Sequence, residues 1–236
     1  MKISEATFAS EPGWSLSTVS LSAGGSFRWY RDTLCQEERE AAARRGVDSY
    51  ELLTEEAGHV PAGSQGLIFL PYLTGERTPY PNPHARGVFF GLTIRHTKAH
   101  MTRSVMEGVT FGLRDSLELL HAVGVRAREV RASGGGARSE LWRQIMADVF
   151  RTTVYTVNVT QGAAYGAALL AGVGAGIHAS VGEASSKAVT VAGRASPSKA
   201  AERYEDVYLR YRALYPALVR EFDAAAQAEQ DVPSGT

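Results

Sequence analysis

Between residues 130 and 172 the chain alternates a short apolar run, three consecutive glycines, an amphipathic stretch, a second apolar run and a stretch of glycine and alanine. By length and periodicity, residues 130–133 and 153–157 are strands, and residues 139–150 and 162–172 are helices. Strand and helix in alternation confine this part of the chain to an α/β fold, a sheet covered by helices. The strongest helical pattern lies just before it. Met101, Val105, Val109, Leu113, Leu117 and Leu120 recur every three or four residues, which predicts a helix over 98–122 with one apolar stripe facing a core. Gly124 is placed to stop it.

The flanks read less sharply. The opening is irregular, with Pro12-Gly13 as a turn signal, and a half-buried strand is expected over 15–22. Gly24-Gly25 breaks it, and a helix over 26–34 follows with Ser26 as its N-cap. Further helices are expected over 37–45 and over 49–57, the second opened by Asp48 or Ser49. Residues 67–70 and 87–92 read as short strands on either side of a proline-rich loop, 74–86. Residues 180–198 read as a surface region, and 199–226 as a final helix with Tyr204, Val207, Tyr208, Tyr211, Leu214 and Leu218 on one side. The whole is expected to be one unit, 1–226, with a polar tail over 227–236.

Composition removes several functions. The 236 residues carry 25 Lys and Arg against 25 Asp and Glu, so there is no basic surplus to displace counterions from nucleic acid. The single Cys35 allows neither an internal disulfide nor a Cys-x-x-Cys metal pair. No targeting segment and no membrane span are read, and a cytoplasmic location is expected.

The sharpest local chemistry is Ser133-Gly134-Gly135-Gly136-Ala137-Arg138-Ser139, between a strand and a helix. Without Cβ atoms the backbone can approach a base, ribose or phosphate closely, and the helix that follows offers free N–H groups. A tight turn with no ligand fits the same residues. No P-loop occurs, and a dinucleotide fingerprint is poorly matched, because Ser139 stands at its third glycine and the ribose acid is missing. Residues 161–168, Gln-Gly-Ala-Ala-Tyr-Gly-Ala-Ala, suit close packing of a helix against backbone. His96 and His100 have metal-pair spacing but no third ligand, and capping is the better reading. The Glu76-Arg77 pair fits a substrate contact and a loop-tying ion pair equally.

Several motifs converge on one family. Gly87-Val88-Phe89-Phe90-Gly91-Leu92, then seven residues, then His100-Met101-Thr102-Arg103-Ser104-Val105-Met106-Glu107 resembles the second signature of the FGGY carbohydrate kinases. Residues 70–79 (Leu-Pro-Tyr-Leu-Thr-Gly-Glu-Arg-Thr-Pro), 85–87, 21–26, 29–32 and the Gly134–Ala137 run also fit. The Gly-Glu-Arg-Thr-Pro form and Tyr211-Arg212-Ala213-Leu214-Tyr215-Pro216 most resemble the xylulokinase branch.

The resemblance implies an α/β fold of the actin-like (ribonuclease H-like) ATPase class, a mixed sheet flanked by helices, forming the C-terminal domain of a two-domain sugar kinase. It implies ATP or ADP with Mg2+ as the nucleotide. It places Gly134, Gly135, Gly136 and Ala137 in the adenosine pocket, Gly24 and Arg28 at its border, and Glu140 in contact with the nucleotide. No residue here is assigned to a metal or to catalysis. The family's general-base Asp, its sugar contacts and a Gly-Thr-Ser phosphate turn on the first hairpin of this domain are expected in a segment that is missing here, and Asp32, Asp48, Asp115 and Asp148 do not stand where the base belongs. Gln161 replaces a common Glu, and Asn82 a common Asp. The expected function is phosphorylation of D-xylulose to D-xylulose 5-phosphate by the intact enzyme, with this chain alone inactive. Glycerol, gluconate or another polyol or ketose as substrate, a non-catalytic actin-like nucleotide-binding module, and the product of a truncated or split reading frame are the alternatives. Dimerisation, or association with an N-terminal kinase half, is the expected partnership.

Overall fold

A computed structural model describes residues 2–8, 11–18, 20–125, 129–159 and 162–230. The chain opens with an antiparallel hairpin, β1 (Lys2–Phe8) and β2 (Glu11–Ser17), in which Lys2 faces Ser17 and Phe8 faces Glu11. This corrects the irregular opening and the strand expected over 15–22. Pro12 and Gly13 lie inside β2. A strand paired on one side tolerates proline because its other edge needs no ladder donors.

Helix α1 (Ala23–Leu34) starts three residues before the expected position, with Ser22 as its N-cap. Ser26 is not the cap. It is fully buried and its hydroxyl donates back to the Ser22 carbonyl. Gly24 and Gly25 therefore lie in the first turn of a helix and do not end a strand. Helix α2 (Gln36–Arg45) closes on Gly46 at φ +68°, a left-handed position that suits glycine. Helix α3 (Ser49–Gly58) is capped by Asp48, whose carboxylate accepts from the Tyr50 N–H at 3.0 Å. Strands β3 (Ile68–Leu70) and β4 (Val88–Phe90) pair antiparallel on either side of the proline-rich loop.

Helix α4 (Lys98–Ala122) has the predicted bounds. Its apolar stripe packs as expected, but its polar side is buried as well. Thr102, Arg103, Ser104, Glu107, Thr110, Arg114, Asp115 and Ser116 are all less than 9% exposed. The helix is a central strut with neighbours all round. Ahead of it, His96 Nδ1 accepts from the Thr93 N–H at 2.9 Å and His100 Nδ1 from the Thr97 N–H at 3.2 Å, so both rings serve local turns.

Next come β5 (Val130–Ala132), a single 3-10 turn (Gly135–Arg138), α5 (Glu140–Phe150), β6 (Val154–Val157) and α6 (Gly162–Gly174). Residues 180–198 are not featureless. They hold α7 (Val181–Ala188) and β7 (Val191–Ala195). Strand β7 pairs antiparallel with β6, which pairs parallel with β5, so the sheet is mixed. The last helix, α8 (Ala200–Gln230), outruns the expected end at 226. Gln161 lies outside the described residues.

The core joins α1, α3, α4, α5 and α8 through Phe27, Leu53, Phe69, Phe111, Ile145 and Tyr211. No described residue of α6 is buried, and a Cβ on Gly162, Gly166 or Gly174 would meet nothing within 4 Å. Among the described residues of 162–168, the glycines therefore serve no close helix packing. No described helix is long and apolar enough to cross a membrane.

Candidate functional site

Three helices that are remote in sequence meet around one cavity of about 370 Å³. It is lined by Gly24, Phe27 and Arg28 of α1, by Asp48, Tyr50, Glu51 and Thr54 at the start of α3, and by Gly135, Gly136, Arg138, Ser139 and Trp142 around the start of α5. The volume falls at the lower end of the range for small-molecule sites, roughly 300–1,000 Å³.

The apolar part is an aromatic cluster. Phe27 meets Trp142 edge-on at 5.3 Å and Tyr50 at 5.1 Å. Trp142 is anchored from below, since its indole N–H donates to Thr110 of α4 at 3.0 Å. The Arg31 guanidinium lies 4.5 Å over the Tyr50 ring and steadies it from outside. A fixed aromatic surface of this kind suits a planar heterocycle.

The facing walls are backbone. Gly24 and Gly135 both line the cavity, and a Cβ on either would meet no atom within 4 Å. A side chain at either point would project into open space, so the glycines leave room that any other residue would take. Gly134, at φ +85°, sets up the turn. Arg143 holds it by donating to the carbonyls of Ala137 at 2.8 Å and Arg138 at 2.9 Å. Ser139 caps α5 by accepting from the Trp142 N–H at 3.2 Å. Arg28 and Arg138 place two cations at the cavity and Asp48 and Glu51 two carboxylates, so the charges of the lining balance.

The expected site residues are thus partly gathered. Gly24, Arg28, Gly135 and Gly136 line the cavity. Gly134 and Ala137 belong to the turn but not to the lining, and Ala137 is buried beneath it. The Glu140 side chain is 95% exposed and leans toward Arg143 at 3.7 Å, outside the lining. Phe27, Asp48, Tyr50, Glu51, Thr54, Arg138, Ser139 and Trp142 were not foreseen. Arg138 and Ser139 sit in the motif already singled out, so they were within reach of the sequence. The aromatic trio carries no local signal, because it is assembled from three helices.

Among the described residues no three His, Cys, Asp or Glu side chains converge to hold a metal ion. A Mg2+ carried in with a nucleotide would keep phosphate and water as its ligands. The candidate acids are spent elsewhere. Asp32 pairs with Arg31 at 2.6 Å, Asp115 accepts from the Tyr208 hydroxyl at 2.6 Å, and Asp148 accepts from the Ser198 hydroxyl at 3.1 Å. Glu76 makes no ion pair with the Arg77 guanidinium among the described residues. Its carboxylate accepts from backbone and hydroxyl donors, so Glu76 ties the loop through these bonds and not through an ion pair with Arg77. Asn82 uses both ends of its amide, accepting from the His84 N–H at 2.8 Å and donating to Tyr215 at 3.1 Å. An aspartate there could not donate.

The model of the FGGY family of carbohydrate kinases, C-terminal domain, matches residues 2–175. The chain is 42% identical over 158 residues to a gluconokinase of Bacillus subtilis, and 40% identical over 158 residues to a xylulose kinase of Escherichia coli. Each alignment covers 66% of this chain, and the chain spans only 31% and 30% of those relatives. Among solved structures, the ligand-bound xylulose kinase of Lactobacillus acidophilus superposes with a TM-score of 0.74 at 30% identity, covering 87% of this chain and 40% of that one.

Proposed function

Because this chain belongs to the FGGY family of carbohydrate kinases and matches that family's C-terminal domain, we propose that its cavity binds the adenosine part of ATP or ADP. The observation that carries this is the pairing of two bare backbone walls, Gly24 and Gly135, with the aromatic surface of Phe27, Tyr50 and Trp142. The base would lie against the aromatic surface, with the ribose over the glycines. Arg28 and Arg138 are the cations within reach of phosphate. Mg·ATP, when bound, supplies the phosphoryl group.

What these residues do is hold and orient. Positioning and charge neutralisation are most of what phosphoryl transfer asks of a protein. We place the proton-abstracting base and the sugar contacts outside residues 1–236, since Asp32, Asp115 and Asp148 are committed to structural bonds and Asp48 caps α3. Residues 1–226 would then form the nucleotide-binding half of the kinase. The substrate class is a sugar or sugar acid. D-xylulose, giving D-xylulose 5-phosphate, is the first reading, supported by the Gly-Glu-Arg-Thr-Pro form. Gluconate is the second, supported by the 42% identity to a gluconokinase.

Calorimetric titration of the chain with Mg·ADP tests the first step, with Trp142 fluorescence as a parallel readout. Saturable one-site binding is expected; a folded sample that takes up no heat and shows no change in emission overturns the reading. A coupled assay for ADP release with D-xylulose and gluconate is expected to show no sugar-dependent turnover from residues 1–236 alone. Clear turnover would place the base within them.

A further inference from the structure

The Gly-Glu-Arg-Thr-Pro segment belongs to neither the cavity lining nor the core, yet Glu76 is only 3% exposed. Its carboxylate gathers donors from two directions. One oxygen accepts from the Leu21 N–H at 3.0 Å and the Arg77 N–H at 2.7 Å, and the other from the Ser20 hydroxyl at 2.9 Å. Ser20 and Leu21 immediately precede Ser22, the cap of α1, and Gly24 follows in the first turn. A second bond runs alongside, between the Ser22 and Thr74 hydroxyls at 2.9 Å.

The loop that carries Glu76 is fastened on its far side. Glu76 and Asn82 exchange backbone hydrogen bonds at 3.0 and 2.9 Å, and Asn82 donates to Tyr215 of α8. Tyr80 stacks flat on Tyr215 with ring centroids 3.7 Å apart, and Arg86 pairs with Glu229 at 2.8 Å. Bonds thus run from α8 through loop 74–86 and Glu76 to the segment that leads into Gly24.

We propose that Glu76 is a positioning residue for the nucleotide site. Its carboxylate fixes the start of α1 and so holds the Gly24 wall of the cavity against the Gly135 wall. The physical case is that α1 has no side-chain cap of its own, since Ser22 makes none. Its first turn is held in place by what precedes it, and a charged acceptor binds N–H and O–H donors more strongly than a neutral one. Two glycines in that first turn add backbone freedom that needs an external tie. The inference rests on the nucleotide reading for its consequence, but not for its mechanism.

The test is hydrogen exchange of the peptide spanning residues 18–30, together with Mg·ADP affinity, for Glu76→Gln and the milder Ser20→Ala. Glu183→Gln serves as a control that removes an ion-paired surface carboxylate on α7, away from the site. Glu76→Gln keeps the shape but removes the charge and one of the two acceptor oxygens. At least tenfold faster exchange is expected at Leu21, whose N–H bonds Glu76, and at residues 26–28, the first hydrogen-bonded amides of α1, with α5 unchanged, and about tenfold weaker Mg·ADP binding. Ser20→Ala should shift both in the same direction by less, and add nothing in the Glu76→Gln background. Exchange at Leu21 and at residues 26–28 no faster than in Glu183→Gln overturns the proposal. So does unchanged affinity in a variant whose α1 start has loosened. If the unsubstituted chain binds no Mg·ADP, the nucleotide reading fails, and the exchange result alone decides whether Glu76 holds α1.

Discussion

The seam between α4 and α8 and the cavity between α1, α3 and α5 are both rich in polar chemistry, but they use it in opposite ways. At the seam, Glu107 accepts from Arg103 at 2.8 Å, Tyr204 at 2.7 Å, Ser64 at 2.8 Å and the Gly63 N–H at 2.9 Å. Arg103 in turn donates to the Val60 carbonyl and to Tyr204, both at 2.8 Å. In this cluster both carboxylate oxygens of Glu107 and the Arg103 guanidinium are spent on other groups of the chain. At the cavity the walls are glycine backbone and exposed arginines, facing open space. The residues that identify the family best, 87–92 and 100–107, lie in the first region or beside it, and none lines the cavity. That signature and the proposed binding site therefore use different residues, while the glycine runs at 24–25 and 134–136 belong to both the resemblance and the cavity turns. Removing one partner of a buried ion pair strands the other charge, while a site made of backbone needs only the absence of side chains.

The largest effect that could break this contrast is at the seam. Glu107→Gln leaves Arg103 buried without its counter-charge, and about 4 kcal/mol of unfolding free energy is expected to disappear in urea titrations. Mg·ADP affinity per folded molecule should stay the same. Full stability in this variant would show that the network is incidental.

Asp115 sharpens the same side of the comparison. Burial is the main reason its carboxyl is pushed up from 3.8 to about 6, against the opposing pull of Tyr208, Arg212 and Arg114. Its Oδ2 has no hydrogen-bond partner among the described residues. A raised folded-state value means that the native state holds the proton more tightly than the unfolded chain does. The contribution to stability is therefore complete below about pH 4 and is lost as pH rises through about 6, at most about 3 kcal/mol. Asp115→Asn should flatten that part of the stability profile, and an unchanged slope between pH 4 and 6 would assign it elsewhere.

On the cavity side, Gly135→Leu is expected to weaken Mg·ADP binding at least a hundredfold, about 2.8 kcal/mol, with a change in stability within about 1 kcal/mol. Its φ is not positive and its Cβ position is open, so the fold accommodates what the ligand would not. Undiminished binding would move the nucleotide elsewhere. The smallest effect is expected for Arg28→Ala, about fivefold weaker binding that fades as salt is added, read by titration at two ionic strengths.

Much of the framework was legible. The three-and-four spacing fixed α4 to the residue, Asp48 marked the start of α3, and the alternation after residue 130 gave β5, α5 and β6. What was missed has physical reasons. Pro12 and Gly13 are turn signals in isolation, and only pairing with β1 makes them a strand. Helix α7 did carry a signal, Ser180 three residues before Glu183, and the structure uses it: Ser180 accepts from the Glu183 N–H at 3.1 Å. β7 is weakly apolar and exposed, so nothing in its own pattern announced it.

The sequence alone determined the α/β class, the family and the glycine turn at 134–136, because each rests on local pattern or on consecutive residues. Tertiary structure alone decided that the polar side of α4 is buried, since the helix is enclosed by partners from distant segments. It alone brought Phe27, Tyr50 and Trp142 together, and it turned Glu140 outward while drawing Glu76 inward. Those outcomes depend on which surfaces meet in space, and a linear pattern records only the side of an element on which a residue lies.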